Sequence, residues 1–397
     1  MKINRAIAWL AVAVALVAAA LLSACGGSSN PVNSVNLVNS TNYSFSSAAP
    51  KFAIVGNDAC SPTVSVFSVN ATTGALTEVT NSPFTVNAVC PRVSVHPNGK
   101  WVYITDNSGG AVEAYSIDGS GNLTLLSVVS DSGAANSSVF SSDGKYLFTA
   151  DGDAFVSAFQ IDGATGVLTN LGATNAWTAG SSFVPLLYTI AIAGNYLYAG
   201  NQAPVFPVPA AQPYVYGFTV NASGNPVSIS GSPWITPGVM AGFLAADWNG
   251  SFLYAGTVNI GGTIQDIYGY KVNSNGSLTA LTGPPLFGGS QCDFWQMVFE
   301  PRNKFVYVVD ANAGAWAYSF DSTTGTLAKV TGSPFAAGTN PQTLAADPSG
   351  KFLYVANESS NDISGYTINQ NTGALTSMGS TFTFSSMTNP YTIAFTH

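Results

Sequence analysis

The chain carries an alternating aromatic and aliphatic pattern that returns at intervals of about fifty residues. A typical run is Trp101-Val102-Tyr103-Ile104, in which apolar side chains alternate between two faces. The runs begin at Phe52, Trp101, Tyr146, Tyr196, Phe252, Phe305 and Phe352. Alternation over such a short stretch is typical of a β-strand, so each repeat contains at least one strand with two packed faces.

Three further strands surround each of these runs. A short apolar strand precedes the run and is joined to it by a tight-turn pair such as Asn98-Gly99 or Asn249-Gly250, because such pairs accept positive φ. A third strand follows, and a Gly-bearing turn such as Thr372-Gly373 leads to a fourth. The pattern predicts units of four antiparallel strands, which are propeller blades.

The two ends of the chain complement each other. The first unit begins at Lys51, directly at its second strand, and the chain ends with Pro390 to Thr396, which matches a first strand such as Pro341 to Asp347. We therefore expect the C-terminal strand to join the N-terminal blade and close the ring. The prediction is an all-β, seven-bladed β-propeller over residues 49–397.

The charge of the chain excludes several classes of partner. The sequence has 11 Lys and Arg against 19 Asp and Glu, a net charge of −8, and only 8% charged residues against 46% hydrophobic ones. Such a composition is unlike that of a disordered chain. It lacks the clustered positive charge that nucleic acids or anionic lipid headgroups require. We expect a monomer with no nucleic-acid partner and no cofactor.

The N-terminal segment is typical of an exported protein. Lys2 and Arg5 precede an apolar run from Ala6 to Leu22, and small residues lead to Cys25. The segment looks like a bacterial lipoprotein signal peptide over residues 1–24, with lipid on Cys25 and a Ser- and Asn-rich tether over residues 25–48. The lipid would be the only contact with the membrane, in the outer membrane or facing the periplasm. The alternative is a plain transmembrane anchor, for which the apolar run is short.

The repeats resemble a known family of propellers. The resemblance rests on two stretches, His96 to Tyr103 and Asp347 to Asn357, and on the Thr-Gly-Ala-Leu-Thr turns at Thr73 and Thr372. These are similar to the Tyr-Val-Thr-Asn repeats of lactonase-type, 6-phosphogluconolactonase-like seven-bladed propellers. The resemblance implies lactone hydrolysis by His, Arg and Glu around the channel, and of these only Arg92 has a matching place.

Propeller sites lie at the end of the channel beside the loops that connect the fourth strand to the next blade and the second strand to the third. We call this end the loop face and the opposite end the turn face. Arg92 is expected on the loop face, either as a carboxylate clamp or bonded to loop carbonyls. His96 is expected at a turn of the turn face, where it stabilises the turn; the alternative is a general base.

Aromatic and polar residues of the fourth and sixth blades are further candidates. A Pro-rich segment from Gln202 to Pro213 lies between two strands of the fourth blade. The ligand-binding candidates are Tyr188, near this segment in blade order, and Asp293, Trp295 and Gln296 of the sixth blade. Such side chains suit a sugar or another small polar ligand, although they could instead pack the loops and the upper core.

Asp and Asn recur after the second strand of the blades, as at Asp106 and Asp310. A ring of carboxylates could hold Ca²⁺, for which Asp151-Gly152-Asp153 is the best candidate. We instead expect these side chains to bond the backbone of their own loops, so that no metal is bound.

The cysteines suggest one disulfide. Cys60 and Cys90 fall in neighbouring loops of the loop face, and export permits oxidation, so we predict that they are bridged. The sequence does not decide whether Cys292 is free.

Two hypotheses for function follow. The first is a cell-envelope lipoprotein that binds a small polar ligand or a protein partner on its loop face without catalysis. The alternative is an enzyme, a carboxylic ester hydrolase acting on a neutral sugar lactone. A phosphorylated lactone is disfavoured because the chain is expected to be exported and lacks a basic cluster.

Overall fold

The computed structural model describes residues 49–57, 62–176, 186–202, 214–237, 240–258, 264–283, 285–287, 294–379 and 381–397. These residues form thirty-two β-strands arranged in seven blades, and no helix occurs among them. The predicted all-β, seven-bladed propeller with four antiparallel strand positions per blade is confirmed. Within the described ranges, no helix has the length and hydropathy needed to span a bilayer.

The first four blades are built as follows. Blade 1 contains β1 (Phe52–Asn57), β2 (Thr63–Val69), β3 (Leu76–Glu78), β4 (Phe84–Thr85) and β32 (Pro390–Phe395). Blade 2 contains β5 (Pro91–Val95), β6 (Trp101–Asp106), β7 (Ala111–Ile117) and β8 (Leu123–Ser130). Blade 3 contains β9 (Ala135–Phe140), β10 (Tyr146–Asp151), β11 (Phe155–Ile161) and β12 (Leu168–Asn175). Blade 4 contains β13 (Leu186–Ala193), β14 (Tyr196–Gln202), β15 (Tyr214–Val220), β16 (Pro226–Ser228) and β17 (Trp234–Ile235).

The remaining three blades follow the same order. Blade 5 contains β18 (Met240–Ala246), β19 (Phe252–Val258), β20 (Ile264–Val272), β21 (Leu278–Ala280) and β22 (Leu286–Phe287). Blade 6 contains β23 (Phe294–Phe299), β24 (Phe305–Asp310), β25 (Gly314–Phe320) and β26 (Leu327–Lys329). Blade 7 contains β27 (Pro341–Ala346), β28 (Phe352–Asn357), β29 (Asp362–Ile368), β30 (Leu375–Ser377) and β31 (Phe382–Thr383). A single bridge between Gln202 and Met240 links blades 4 and 5.

The chain ends close the ring as predicted. β32 is the inner strand of blade 1 and pairs antiparallel with β1, with Ala53 opposite Phe395 and Val55 opposite Ile393. The amide of Phe52 donates to Thr396 Oγ1 at 3.0 Å, and the amide of Thr396 donates to the Phe52 carbonyl at 2.9 Å. Two chain ends thus rebuild the hairpin that a covalent turn forms in the other blades, which leaves no open edge at the seam.

The repeated aromatic residues tie neighbouring blades together on the turn face. The first aromatic of each run packs on a glycine of the next blade's turn between its third and outer strands, as Trp101 does on Gly166. The second aromatic is often a buried tyrosine whose hydroxyl donates to the carbonyl of the same glycine, as Tyr103 does to Gly166 at 2.9 Å. Such bonds occur at five junctions, from Tyr103, Tyr198, Tyr254, Tyr307 and Tyr354.

The outer strand takes different forms in different blades, and in blade 6 it is the three-residue β26 with an isolated bridge between Ala315 and Phe335. In blades 2 and 3 it is one strand of eight residues, β8 and β12. In blades 1, 4, 5 and 7 it breaks into a three-residue and a two-residue piece on the same partner strand. Several breaks contain a proline, which lacks the amide that a continuous ladder would need. The sequence pattern did not predict this division.

Candidate functional site

The inner strands share an irregularity where they begin at the loop face. In six of them, pairing to the second strand skips one residue near the start, which is a β-bulge. The skipped residues are Asn136, Tyr188, Gly242, Trp295, Gln342 and Tyr391. In β5 the pairing is unbroken, and Arg92 holds this place. Because neighbouring inner strands contact each other around the channel, these seven positions form a ring at its mouth, which we call the mouth ring.

Arg92 is covered by a neighbour in the mouth ring. The residue is fully buried, and its guanidinium carbon lies 4.1 Å from the centre of the Tyr391 ring. A guanidinium over an aromatic face at this distance is a cation–π contact, which is strengthened where water is excluded. The predicted loop-face position of Arg92 is therefore correct, but its side chain is held against blade 1.

Blade 7, the neighbour of blade 1, carries a carboxylate near the start of its inner strand. The side-chain amides of Asn340 and Gln342 both donate to Glu358 Oε2, at 2.7 and 3.0 Å. Glu358 is half-buried and follows β28, while Gln342 belongs to the mouth ring. Two amide donors fix the orientation of the carboxylate.

The sixth blade contributes an aromatic side chain and a structural amide. Trp295 is half-buried against the core between blades 6 and 7, and its buried indole N–H has no hydrogen-bond partner among the described residues. The next residue, Gln296, accepts hydrogen bonds through Oε1 from Thr343 Oγ1 and from the Leu344 amide, both at 2.7 Å. The Gln296 carbonyl oxygen is thus bonded to the scaffold, whereas Trp295 retains a donor.

Two more members of the mouth ring belong to blades 3 and 4. Tyr188 is half-buried, and burial raises the pKa of its hydroxyl. Asn136 donates through Nδ2 to the carbonyl of Leu187 at 2.9 Å, which connects the two blades. The predicted candidate Asp293 and the segment 203–213 lie outside the described residues.

Comparison with known proteins gives the family of this propeller. Residues 52–171 and 296–392 match the family described as lactonase, seven-bladed β-propeller. The two matched stretches together exceed half of the chain. The protein belongs to the lactonase propeller family. The stretch between the two matches, residues 172–295, contains blades 4 and 5. Among curated proteins, no sequence matches the chain.

Solved structures of lactonase-like propellers share the fold. A proposed 6-phosphogluconolactonase from Bacteroides uniformis has a TM-score of 0.72 at 20% identity, covering 88% of this chain and 100% of that one. A proposed 6-phosphogluconolactonase from Bacteroides fragilis has a TM-score of 0.68 at 21% identity, covering 89% and 99%. The periplasmic gluconolactonase PpgL of Pseudomonas aeruginosa has a TM-score of 0.68 at 19% identity, covering 87% and 99%. At these identities the likeness is one of fold.

In this lactonase propeller, His96 serves the turn face, as the sequence indicated. Its Nε2 donates to the Gly144 carbonyl at 2.9 Å, and its Nδ1 accepts from the Asn98 amide at 3.1 Å. Burial lowers its pKa. Since Gly144 belongs to the corresponding turn of blade 3, the ring of His96 bridges two turns at the end of the channel opposite the mouth ring.

Several recurrent Asp and Asn residues bond their own loops, as predicted. Asp106 Oδ1 accepts from the Ser108 amide and Asp310 Oδ1 from the Asn312 amide, both at 2.9 Å. In blades 1 and 7, Asn57 and Asn357 instead donate to serine hydroxyls of the third strand. Among the described residues, no three His, Cys, Asp or Glu side chains are grouped to hold a metal ion.

Blade 3 differs by holding two buried carboxyl groups together on the loop face. Asp151 Oδ2 accepts from Ser157 Oγ at 2.6 Å and from Ser132 Oγ, and Asp131 Oδ2 accepts from Thr149 Oγ1 at 2.9 Å. Burial, and then the charge of Asp131, raise the pKa of Asp151 well above that of an ordinary aspartate. Burial also raises the pKa of Asp131. Because two neighbouring carboxylates disfavour each other's ionised form, the pair favours keeping a proton.

The cysteine predictions fall mostly outside the described part of the chain. Cys90 is half-buried in the loop leading to β5, whereas Cys25, Cys60 and Cys292 are not among the described residues. The Cys60–Cys90 disulfide stays a prediction, which peptide mapping without reductant tests.

The sequence pattern did not point to Asn136, Gln342, Tyr391 or the role of Glu358. One signal was present: Arg92, Gln342 and Tyr391 each follow a proline that opens an inner strand, Pro91, Pro341 and Pro390. Proline is accepted at the first residue of a strand, so the residue after it marks the mouth ring in these three blades.

Proposed function

We propose that this lactonase-family propeller binds a small polar ligand, of the size of a monosaccharide, at the mouth ring without transforming it. The observation that carries the proposal is that the mouth ring is aperiodic. Apart from Gly242, its members are Arg92, Asn136, Tyr188, Trp295, Gln342 and Tyr391, so six side chains of five types occupy one repeated position. A repeat that served only the scaffold would keep one residue type there.

The chemistry of the ring suits a hydroxyl-rich ligand. Trp295 brings a half-buried indole whose buried N–H has no partner among the described residues, and Glu358, held by Asn340 and Gln342, is an oriented acceptor. An aromatic face with a few oriented polar groups is the usual composition of a small-molecule site.

Binding without catalysis is supported by the state of the charged groups. Arg92 is buried against Tyr391, and one oxygen of Glu358 already accepts two hydrogen bonds. The His96 imidazole lies on the turn face. Hydrolysis would need a base and a cation that reach the same region of the substrate.

Calorimetric titration with glucose, gluconate and glucono-1,5-lactone tests the proposal. Trp295→Phe keeps a ring and removes the N–H, so affinity should fall about three- to tenfold, as expected for one neutral hydrogen bond. His96→Asn, on the turn face, is the control and should bind as the unaltered chain does. Absence of binding by all three compounds, or equal affinity in Trp295→Phe, would reject the mouth ring as the sugar site and leave a protein partner to be sought.

Lactone hydrolysis is the second candidate, because the chain belongs to the lactonase family. The acid produced from a neutral sugar lactone can be followed by pH-stat titration, with Arg92→Ala and Glu358→Gln as variants. Turnover above the spontaneous rate that both variants abolish would replace the binding proposal with an enzymatic one.

We also propose that the propeller is held in the cell envelope by lipid on Cys25, with residues 25–48 as its tether. The support is the sequence pattern before Cys25. Labelled palmitate should be incorporated into the chain and not into a Cys25→Ser variant, and the variant should leave the membrane fraction.

A further inference from the structure

A cavity of about 290 Å³ lies in blade 5, beside its outer strand. Three tyrosines, Tyr254, Tyr268 and Tyr270, form much of its wall, and the remaining wall is largely aliphatic. The aliphatic wall includes Ile235, Leu281, Leu286 and Leu327. The cavity lies largely in the stretch that does not match the lactonase family.

The sister blades show which kind of group fills this place. In each broken outer strand, the first residue of the second piece pairs with an equivalent residue of the third strand. In blades 1, 4 and 7 that residue is aromatic: Phe84 opposite Val64, Trp234 opposite Val215, and Phe382 opposite Ile363. In blade 6, Phe335 forms the corresponding bridge to Ala315. In blade 5 the same position is Leu286, opposite Ile267.

In blades 4 and 7 the aromatic ring lies over a glycine of the third strand. A Cβ placed on Gly217 would be 2.5 Å from the Trp234 ring, and one on Gly365 would be 2.6 Å from the Phe382 ring. Blade 5 keeps this glycine as Gly269, but its nearest neighbours are Leu281 and Tyr254, not Leu286. Blade 5 therefore keeps the glycine but covers it with Leu281, and its outer strand supplies no aromatic ring at this place.

We propose that the blade 5 cavity binds a small aromatic molecule, whose ring packs between the three tyrosines and Leu286, beside the place that Trp234 and Phe382 fill in blades 4 and 7. Its volume is ample, since an apolar cavity of about 150 Å³ already binds benzene. Tyrosine walls favour an aromatic guest through edge-to-face contacts. Exposed Ile235 borders the cavity, so a ligand can enter from the outer surface.

Titration calorimetry of the full chain with indole, the ring of Trp234, tests this site. Indole should bind with one-to-one stoichiometry. In Leu286→Trp the new side chain should fill the cavity, so the affinity for indole should fall at least tenfold. Without indole, the same variant should melt about 2 °C higher, as expected for a filled cavity. Leu286→Phe, which copies Phe84 and Phe382, gives the same test if the tryptophan variant does not fold.

Val227→Trp is the matched control, because Val227 is exposed on the outer strand of blade 4 and does not line the cavity. It should bind indole as the unaltered chain does. Absence of indole binding by the unaltered chain would overturn the proposal. So would undiminished binding by both Leu286 variants, since indole would then occupy another place. Either result leaves the sugar-binding proposal for the mouth ring untouched.

Discussion

The turn face and the loop face of this ring follow different rules. On the turn face the same contacts recur from blade to blade: side chains at the end of the inner strand cap the turn, and aromatic residues pack on the next blade's glycine. The side-chain oxygens of Ser141, Asp247 and Asp347 each accept a hydrogen bond from the backbone amide of the first aromatic residue of the same blade. Thr396 Oγ1 accepts the corresponding bond across the seam. On the loop face the equivalent positions hold different residues in almost every blade.

This difference separates stability from recognition. A contact that is repeated around the ring closes it regardless of any ligand, because each blade buries its faces only against its neighbours. A position that varies while its backbone setting is constant, as in the mouth ring, is free to serve recognition. Substitutions on the turn face should therefore alter the free energy of unfolding, and substitutions in the mouth ring should alter binding.

The largest effect is expected at the seam, where the turn-face contacts are made by two chain ends. Deleting residues 390–397 removes β32 and exposes the edge of β1. It also uncovers β5 and β27, the inner strands that β32 contacts on either side. The truncated chain should lose its cooperative thermal transition, measured by circular dichroism. Thr396→Ser keeps the hydroxyl that accepts from Phe52 and should melt near the unaltered chain. A truncated chain that still melts cooperatively at the original temperature would show that the ring does not need closure.

The next effect is expected at the glycine under an aromatic residue. Gly166 has φ of +77°, and a Cβ there would lie 2.6 Å from the Trp101 ring. Gly166→Ala combines backbone strain with a clash, so it should lower the free energy of unfolding by about 3 kcal/mol. Gly163, in the same turn, has open space around it, and Gly163→Ala should change stability by less than about 1 kcal/mol. Urea denaturation measures both, and equal losses would contradict a role for the aromatic contact.

The same division explains what the sequence could and could not predict. The run beginning at Trp101 predicted a strand, the turn after His96 predicted its neighbour, and Pro390 to Thr396 predicted the seam, because periodic contacts leave periodic residues. Tyr188, Arg92 and Trp295 were candidates from the sequence, and all three lie in the mouth ring. Gln342 and Tyr391 were missed, since a bulge adds a residue without changing the apolar pattern around it.

Other features depended on tertiary neighbours that have no repeated spacing. Asp131 and Asp151 are brought together by the loop between β8 and β9, which differs from the other blades. The cavity of blade 5 depends on Leu286 lying opposite Ile267, and this register follows from strand pairing rather than from any spacing in the sequence.

The carboxyl pair of Asp131 and Asp151 allows a prediction for the loop face. Asp151 stands where Asn57 and Asn357 stand, and the raised pKa means that folding favours its protonated form. The folded chain therefore keeps a proton that the unfolded chain releases above its ordinary pKa of about 4, so stability falls as pH rises through the raised pKa. Asp151→Asn can donate to Ser157, as Asn357 does to Ser364 at 2.9 Å.

Asp151→Asn should thus gain stability relative to the unaltered chain at pH 8, on the order of 1 kcal/mol, and gain less at pH 4. Urea denaturation at the two pH values measures the difference. Asp153→Asn, at an exposed residue of the same loop, is the control and should show no such pH dependence. The gain in stability caused by Asp151→Asn should be larger at pH 8 than at pH 4. A smaller gain at pH 8 than at pH 4 would contradict the raised pKa of Asp151.

The smallest effect concerns the tyrosines that join blades. Tyr354 donates to the Gly74 carbonyl at 2.6 Å, whereas blade 3 has Phe148 at the corresponding position, so that junction has no such bond. Tyr354→Phe should cost about 1 kcal/mol, because it leaves a carbonyl without its donor. Phe148→Tyr should gain about 0.5 kcal/mol if its hydroxyl reaches the Gly224 carbonyl, as Tyr198 reaches Gly276 at 2.7 Å. Equilibrium denaturation of the two single variants and the double variant should give additive changes, because the two junctions share no residue. A loss of stability in Phe148→Tyr would mean that blade 3 has departed from the turn-face rule in its packing as well as in its sequence.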